Sequence, residues 1–273
     1  MNIFNKSNPN RIFYILFTVI LALCITCLTG LLILNSVKAQ NPNTNDTTEN
    51  KTPVNSGLYD SVILKETPDA GLSYQNKIIF VGDSTTYHLK PSGSLADGIN
   101  TKQVWAPTSG TLTLDSDILQ KTIFFPLTST EKTIPEALEI VKPEIMVITL
   151  GLNGSGGAEK DDFSRNYKKL INKIKEVSPN TKIILQSVFP ITAEHSSDDN
   201  TFTNEKIDII NGWIVEIASD TNCKYLNTAS VLKDNNGALI SEYNTEYHSD
   251  GVHIWKKGYA VMLNYIRTHA YLD

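Results

Sequence analysis

Residues 77–84 read KIIFVGDS, an unbroken apolar run that ends in a glycine, an aspartate and a serine. Residues 144–153 read EIMVITLGLN, a second apolar run that ends in Gly151 and Asn153. Short continuous apolar runs are typical of strands that are buried on both faces of a parallel sheet. Open α/β sheets bind their ligands at the carboxyl ends of such strands. The sequence therefore predicts that Ser84 and Asn153 lie at that edge of one sheet.

Segments with strand and helix patterns alternate through the rest of the chain. The helical segments place apolar residues at every third or fourth position, as Phe163, Tyr167 and Leu170 do. Such alternation predicts a mostly parallel sheet with helices on both faces, which is a three-layer α/β/α sandwich. The predicted strands are 77–82, 144–151, 182–190 and 224–226, and the predicted helices are 134–141, 161–177, 204–219 and 256–269.

The composition is that of a globular protein without the basic surface that nucleic acids require. The chain has 273 residues, of which 41% are apolar and 19% are charged, and its formal net charge is −5. Neutralising phosphates needs clustered Lys and Arg, so nucleic-acid binding is disfavoured. Of the three cysteines, Cys24 and Cys27 lie in an apolar N-terminal run, which leaves Cys223 without a disulfide partner in the globular part.

The N-terminal run Ile12–Leu34 contains 23 residues and no charge. Because a helix rises ~1.5 Å per residue, a run of this length crosses a hydrocarbon core of about 30 Å. We therefore predict a retained membrane anchor within residues 1–38. The alternative is a secretory signal cleaved near the small residues at 37–39. Lys6 and Arg11 precede the run and one lysine follows it, so the positive-inside rule places the N-terminus in the cytoplasm and the rest outside the cell.

The next segment, residues 39–75, is predicted to be a polar tether between this anchor and a domain at 76–273. Residues 40–56 are dominated by Asn, Thr, Pro and Asp, and they cannot bury enough apolar surface to offset the entropy of ordering. The pattern at 57–75 leaves two possibilities open, since Tyr59–Leu64 can also dock on the domain as an edge strand or a short helix.

A carboxylate and an imidazole stand three residues apart in the Asp-Gly-Val-His sequence at 250–253. A serine hydroxyl is a weak nucleophile until a base takes its proton. His253 is the predicted base for Ser84, and Asp250 is predicted to fix the tautomer of His253 and to stabilise its charged form. Each residue also has a simpler interpretation, with Asp83 or Ser84 as a helix N-cap and Asp250 as the cap of a turn.

Two further residues are predicted to stabilise a negatively charged oxygen. The side-chain amide of Asn153 is a donor of the kind found in acyl-transfer sites, and Gly110 allows a backbone N–H to approach a ligand oxygen closely. The alternatives are an ordinary turn asparagine and a turn glycine. The glycine-rich run 154–157 does not complete a dinucleotide-binding motif, because Glu159 occupies the last glycine position, and no Walker lysine follows.

The other histidines do not form a metal-binding pattern. The five histidines are scattered and no His-Glu-x-x-His sequence occurs, so neither a metal nor a cofactor is predicted. His248 is close to His253 but lacks a carboxylate at the matching offset, and we predict a surface or supporting role for it. His88, His195 and His269 are predicted to be exposed or packed.

Taken together, these residues resemble the sequence blocks of the SGNH hydrolases, the GDSL-like esterase and lipase superfamily. Gly82–Ser84 are similar to its first block, Gly110 to the glycine of its second, Gly151–Asn153 to its third, and Asp250 and His253 to its last. The resemblance covers residues 77–273. One departure is Gly154, which stands where the family's third block has aspartate.

The resemblance implies a flavodoxin-like form of the sandwich and a serine esterase that uses no metal or cofactor. It implies that Ser84 is the nucleophile and that the oxyanion hole consists of the N–H groups of Ser84 and Gly110 with the side chain of Asn153. For a bacterial protein anchored at the cell surface, the expected substrate is a small ester, such as an O-acetyl group on a carbohydrate or a cell-wall glycan.

Two other functions remain open at this stage. The domain can be a catalytically silent module that binds a glycan or serves in an assembly, or it can transfer acyl groups to sugar acceptors. The polar segment 191–203 is predicted to be a surface loop, with a role in shaping the acyl-acceptor side as the alternative.

Overall fold

The computed structural model describes residues 57–154, 157–198, 202–245 and 249–272. The predicted anchor at Ile12–Leu34 and the tether up to residue 56 lie outside these ranges. Among the helices within them, none is long and apolar enough to cross a membrane.

Five parallel strands form the central sheet. They are β1 (Ile78–Gly82), β2 (Val104–Trp105), β5 (Ile145–Thr149), β6 (Lys182–Gln186) and β7 (Lys224–Leu226), and a separate antiparallel pair consists of β3 (Thr122–Phe125) and β4 (Thr130–Thr133). The order in the sheet is β2-β1-β5-β6-β7. Counted within this sheet alone, the order is 2-1-3-4-5, which is the flavodoxin-like order. The predicted α/β fold with a mostly parallel sheet is thereby confirmed.

Helices cover both faces of this sheet. They are α1 (Gly71–Gln75), α2 (Ser84–Leu89), α3 (Ile134–Ile140), α4 (Lys160–Val177), α5 (Ala193–Asp198), α6 (Asn204–Asp220), α7 (Ala229–Leu232) and α8 (Lys256–Thr268), with 3-10 turns at Gly98–Asn100 and Ser241–Tyr243. Alternate residues of a strand point to opposite faces. Val81 and Ile148 accordingly join a core with α3, α4 and α6, whereas Phe80 and Val147 join a core with α1, α2, α7 and α8.

The third predicted strand, 182–190, is shorter in the structure and ends at Gln186. Its neighbour β7 ends at Leu226, so the ladder has no partner strand to continue along. The backbone of Val188 is satisfied by a side chain instead, because Asn211 Oδ1 accepts its N–H at 2.7 Å and Asn211 Nδ2 donates to its carbonyl at 3.0 Å. The segment after it differs from the predicted loop as well, since α5 begins at Ala193.

Residues 57–75 pack on the domain. Ile63 forms a parallel bridge with Tyr225 at the β7 edge of the sheet, and Leu64 N–H donates to the Tyr225 carbonyl at 2.9 Å. Further along, Thr67 N–H donates to the carbonyl of Thr268 at 2.7 Å. Of the two possibilities that the sequence left open for Tyr59–Leu64, the structure shows an edge contact.

Candidate active site

Ser84 is the first residue of α2, directly after the end of β1. Asp83 is the N-cap of this helix, and its Oδ1 accepts from the Thr85 N–H at 3.1 Å and from the Thr85 hydroxyl at 2.8 Å. The turn between strand and helix leaves no room for a side chain at Gly82, where a Cβ would lie 2.2 Å from Oγ1 of Thr86 on α2 and 2.4 Å from the carbonyl oxygen of Thr149 on β5. This turn places Ser84 at the carboxyl edge of the sheet, beside the switch point between β1 and β5, where doubly wound sheets bind ligands.

The structure brings Ser84, His253 and Asp250 together into one hydrogen-bonded chain. Nε2 of His253 lies 2.8 Å from Oγ of Ser84, and Nδ1 of His253 lies 2.6 Å from Oδ2 of Asp250. The first contact joins residues that are 169 positions apart in the chain. This arrangement has the geometry that a base-activated serine requires.

The last helix of the chain supports this arrangement. Tyr259 on α8 is fully buried, and its hydroxyl donates to the carbonyl of Thr85 at 2.7 Å. The bond joins the helix that begins three residues after His253 to the helix that begins with Ser84. The two functional side chains therefore approach each other from elements that are tied together.

Asp250 uses its two carboxylate oxygens for different partners. Oδ2 faces the ring of His253, whereas Oδ1 accepts the backbone N–H groups of Val252 and His253, each at 2.9 Å. Both interpretations of Asp250 are thus observed at once, since it caps the turn and faces the imidazole. Burial alone raises the pKa of Asp250, but the hydrogen bonds from His253, Val252 and Asn244 outweigh it and hold the pKa well below its usual range.

Asn244, which the sequence analysis did not single out, holds the loop that carries Asp250 and His253. Its Nδ2 donates to Asp250 Oδ1 at 3.0 Å and to the His253 carbonyl at 2.6 Å, and its Oδ1 accepts the Gly251 N–H at 2.9 Å. One side chain therefore binds three points of the 250–253 turn. The sequence carries no signal for this role, because Asn244 belongs to no recognisable motif.

Gly251 fits the same turn against α5. Its φ is +78°, and a Cβ at this position would lie 2.7 Å from Cβ of His195. Its carbonyl accepts the N–H of Thr192 at 2.8 Å. The segment predicted to be a solvated loop thus supports the turn that carries His253.

Asn153 follows β5 at the same edge of the sheet. The preceding Gly151 has φ +128°, and a Cβ there would lie 3.0 Å from a methyl group of Val188. Nδ2 of Asn153 is buried and has no hydrogen-bond partner within the described residues. A buried donor without a partner is costly, so this amide is suited to an acceptor brought by a ligand.

Gly110 reaches the site, but its N–H is engaged. A Cβ at Gly110, whose φ is +72°, would lie 3.9 Å from Cα of Ser84 and 3.6 Å from the ring of Tyr87. Its N–H donates to the carbonyl of Pro107 at 2.9 Å. In this conformation, the N–H that the sequence analysis assigned to an oxyanion serves a turn. The N–H of Ser84, as the first residue of α2, has no acceptor within the helix.

His88 is a second residue that the sequence analysis did not place in the site. Its ring lies edge-on to the ring of His253, with centroids 4.7 Å apart. The signal that would have identified it is its spacing, since residues four apart share one face of a helix and His88 follows Ser84 by four. His269 stacks on Tyr265 at 3.8 Å, and His248 lies outside the described residues.

Asp83 places a carboxyl group in the core beside this site. Its side chain is fully buried, and burial raises its pKa from 3.8 to about 6 despite the opposing effects of Thr85, His253 and the Leu152 N–H. The Leu152 N–H is near enough to lower the pKa, yet Oδ2 of Asp83 has no partner of hydrogen-bonding geometry within the described residues.

A parallel α/β sheet with hydrogen-bonded Ser, His and Asp side chains at its carboxyl edge is typical of serine-dependent acyl hydrolases and acyltransferases. The chain belongs to the GDSL-like Lipase/Acylhydrolase family, whose model matches residues 80–261. The resemblance to the SGNH hydrolases is therefore confirmed. Within the described residues, no group of three His, Cys, Asp or Glu side chains is placed to hold a metal ion.

Several solved structures are similar to this chain. They include a GDSL-like lipase from Bacteroides thetaiotaomicron, with 17% identity over 78% of this chain and 96% of that one and a TM-score of 0.46. The periplasmic domain of a Salmonella ser. Paratyphi A lipopolysaccharide acetyltransferase has 15% identity over 80% and 97%, with a TM-score of 0.46. A catalytic mutant of an acetylxylan esterase from Geobacillus stearothermophilus has 16% identity over 71% and 94%, with a TM-score of 0.43. No curated protein sequence matches the chain.

Proposed function

We propose that this protein is a carboxylic ester hydrolase that works through an acyl-enzyme on Ser84. The observation that carries the proposal is the unbroken chain from the hydroxyl of Ser84 through the ring of His253 to the carboxylate of Asp250. Membership of an acylhydrolase family supports the same reaction class.

In the first half-reaction, Oγ of Ser84 attacks the carbonyl carbon of the ester while Nε2 of His253 accepts the hydroxyl proton. The carboxylate of Asp250 stabilises the imidazolium that forms. When the tetrahedral intermediate collapses, the carbon–oxygen bond to the alcohol breaks, and His253 returns its proton to the departing alcohol. In the second half-reaction, His253 takes a proton from water, the resulting hydroxide attacks the acyl-enzyme, and Ser84 leaves with that proton.

The negatively charged oxygen of each tetrahedral intermediate needs preorganised donors. We assign this role to the amide of Asn153 and the backbone N–H of Ser84. Nδ2 of Asn153 is buried without a partner of its own, which supports its assignment. Because Gly110 has no side chain, its backbone leaves space for a ligand beside Ser84. Its N–H becomes a third donor only if its hydrogen bond to the Pro107 carbonyl opens.

The proposed substrate is a short acyl ester, such as an O-acyl group on a carbohydrate or a cell-wall glycan outside the cell. This proposal follows from the family and from the predicted anchor at Ile12–Leu34. Retention of the full chain in the membrane fraction after an alkaline wash tests the anchor, and release into the medium would indicate a cleaved signal instead. Protein found only in the cytoplasm would contradict the location.

The test of the reaction is Ser84→Ala. We expect this substitution to abolish hydrolysis of p-nitrophenyl acetate and labelling by a fluorophosphonate, because both require the Ser84 hydroxyl. Ser116→Ala, which alters an exposed serine, is the matched control and should retain both. Wild-type protein that neither hydrolyses esters nor reacts with the probe would instead indicate a silent binding module.

A further inference from the structure

An apolar cavity of about 360 Å³ lies beside α2. Its walls come from α2, the 3-10 turn at Gly98–Asn100, β2 and β3, and they include Tyr87, Lys90, Ile99, Val104, Ala106 and Phe124. The volume lies within the range of small-molecule sites. The mechanism above assigns no role to this space, which we call the α2 cavity.

The α2 cavity lies close to the nucleophile, with the ring of Tyr87 between them. Ser84, Tyr87 and His88 are spaced three and four residues apart, so they share one face of α2. The ring of Tyr87 lines the cavity and also lies 3.6 Å from the position of a Cβ at Gly110, which is itself 3.9 Å from Cα of Ser84. The cavity therefore begins about one helical turn from the serine that would carry the acyl group.

The lining of the α2 cavity is suited to hydrocarbon. Val104 and Ala106 are buried aliphatic residues at its base, and Phe124 adds an aromatic wall. The charged group of Lys90 lies over the ring of Phe124, 4.8 Å from its centroid, which is a cation–π arrangement. A sugar ring needs several hydrogen-bond partners, and the polar groups among the lining side chains are the hydroxyls of Tyr87 and Thr108 and the ammonium of Lys90.

The distance from Ser84 to the far end of the cavity matches a chain longer than acetyl. Lys90 follows Ser84 by six positions, which at ~1.5 Å of rise per residue span roughly 9 Å along the helix. An acetyl group would end near Tyr87, whereas a medium-length chain would extend along the aliphatic walls. Removing that chain from water is the driving force for its binding.

We propose that the α2 cavity binds the acyl chain of the ester and that the enzyme prefers medium-length, unbranched acyl groups over acetyl. The inference rests on the proposed function and changes the acyl group of its substrate from a short chain to one of medium length. It makes Tyr87, Ile99, Ala106 and Phe124 determinants of acyl-chain specificity rather than catalytic residues.

The experiment measures kcat/KM for p-nitrophenyl esters of two, four, six, eight and ten carbons. We expect wild-type values to rise at least tenfold from the two-carbon ester to the six- or eight-carbon ester. Ala106→Leu fills the base of the cavity and should reduce the ratio of eight-carbon to two-carbon values at least tenfold. Because Ala106 is buried, Thr108→Trp at the exposed rim serves as a second filling variant with less risk to folding.

A matched pair of exposed isoleucines separates cavity effects from general ones. Ile99 lines the α2 cavity and is 62% exposed, whereas Ile140 is 54% exposed and lies on α3. Ile99→Ala should lower the preference for long chains, and Ile140→Ala should leave the profile unchanged.

The outcomes distinguish this inference from the proposal on which it rests. Hydrolysis with a flat or falling chain-length profile that the filling variants do not alter would overturn the acyl-chain inference alone. The acyl-chain inference would also be overturned if the filling variants changed the relative kcat/KM values for acetate esters of different alcohols and left the acyl-chain profile unchanged. A wild-type protein that shows neither ester hydrolysis nor fluorophosphonate labelling would overturn the proposed function and the inference together.

Discussion

At the scale of single residues, the candidate site depends on side chains that each serve more than one partner. Asp250 accepts backbone N–H groups of its own turn and also faces the ring of His253. Asn244 forms hydrogen bonds with three residues of the same turn, namely Asp250, Gly251 and His253. Asn153 is the exception, since its buried Nδ2 has no partner within the described residues. A side chain whose polar atoms are all hydrogen-bonded within the protein is suited to positioning other residues. A buried donor that has no such partner is suited to binding an acceptor on the substrate.

Asn153→Ala tests that interpretation. Removal of one oxyanion donor typically lowers kcat by a factor on the order of 10²–10³, because the donor acts on charge that develops only in the transition state. We expect a loss of this size with a small change in KM. Asn172→Ala, on the exposed side of α4, is the control. Wild-type kcat in Asn153→Ala would remove this residue from the mechanism.

Asn244→Ala tests a positioning role. The carboxylate of Asp250 and the carbonyl of His253 would both lose a donor, so the imidazole should sit less accurately opposite Ser84. Misplacement by about 1 Å can cost up to roughly 10²-fold in rate, and we expect kcat to fall between about tenfold and that value with KM little changed.

The rate per folded molecule distinguishes this role from a loss of folding. We expect kcat, divided by the folded fraction from urea denaturation, to remain low in Asn244→Ala, because the Asp250 carboxylate and the His253 carbonyl have lost a donor in molecules that are otherwise folded. Activity that falls only in proportion to the folded fraction would show that Asn244 is purely structural.

At the scale of elements, the site is built where β1 turns sharply into α2 and where the 250–253 turn meets α5 and α8. Three glycines permit these approaches. Gly82 lies against the Thr149 carbonyl, Gly151 against the side chains of Val188 and Phe163, and Gly251 against His195. In each case the absent Cβ lets backbone segments come close enough to align side chains from distant parts of the chain.

Gly82→Ala is the prediction at this scale. The added Cβ would lie 2.4 Å from the carbonyl oxygen of Thr149, a backbone atom that cannot rotate away. We expect a loss of about 1–3 kcal/mol in the free energy of unfolding, as for other overpacked sites. Gly57→Ala, where nothing lies within 4 Å of the new Cβ, should leave stability within about 0.5 kcal/mol of wild type in urea denaturation. Equal stability of the two variants would contradict the argument that Gly82 is too closely packed for a Cβ.

At the scale of the whole molecule, the interior contains the carboxyl group of Asp83 as well as apolar side chains. The raised pKa of Asp83 means that the folded state holds its proton more tightly than the unfolded state. Between pH 4 and 6 the unfolded chain ionises at this position while the folded chain does not. The contribution of Asp83 to stability is therefore greatest below about pH 4 and is lost as pH rises through about 6.

Asp83→Asn should remove this dependence and keep the acceptor for Thr85. A rise in pKa from 3.8 to about 6 corresponds to about 3 kcal/mol. We expect the stability of wild type relative to Asp83→Asn to fall by about that amount between pH 4 and pH 7, as measured by urea denaturation at each pH. The exposed Asp161→Asn is the control. A difference between wild type and Asp83→Asn that does not vary with pH would show that burial does not raise this pKa.

The amino-acid sequence by itself determined the parts of this protein that depend on local pattern. The strands at β1, β5 and β7 and the helices α3, α4, α6 and α8 were predictable within one or two residues, because apolar periodicity is set by neighbours in the chain. Ser84, Asn153, Asp250 and His253 were identifiable as candidates because each belongs to a short motif at a strand or helix end.

Tertiary structure alone decided the features that depend on residues far apart in the chain. The two-residue strand β2 exists through its pairing with β1, which lies much earlier in the chain, and its short sequence carries little periodicity. Asn244, the His88–His253 contact, the engaged N–H of Gly110 and the α2 cavity belong to no motif. The physical reason is that a hydrogen bond or a cavity wall is a relation between positions in space, and only the folded chain brings those positions together.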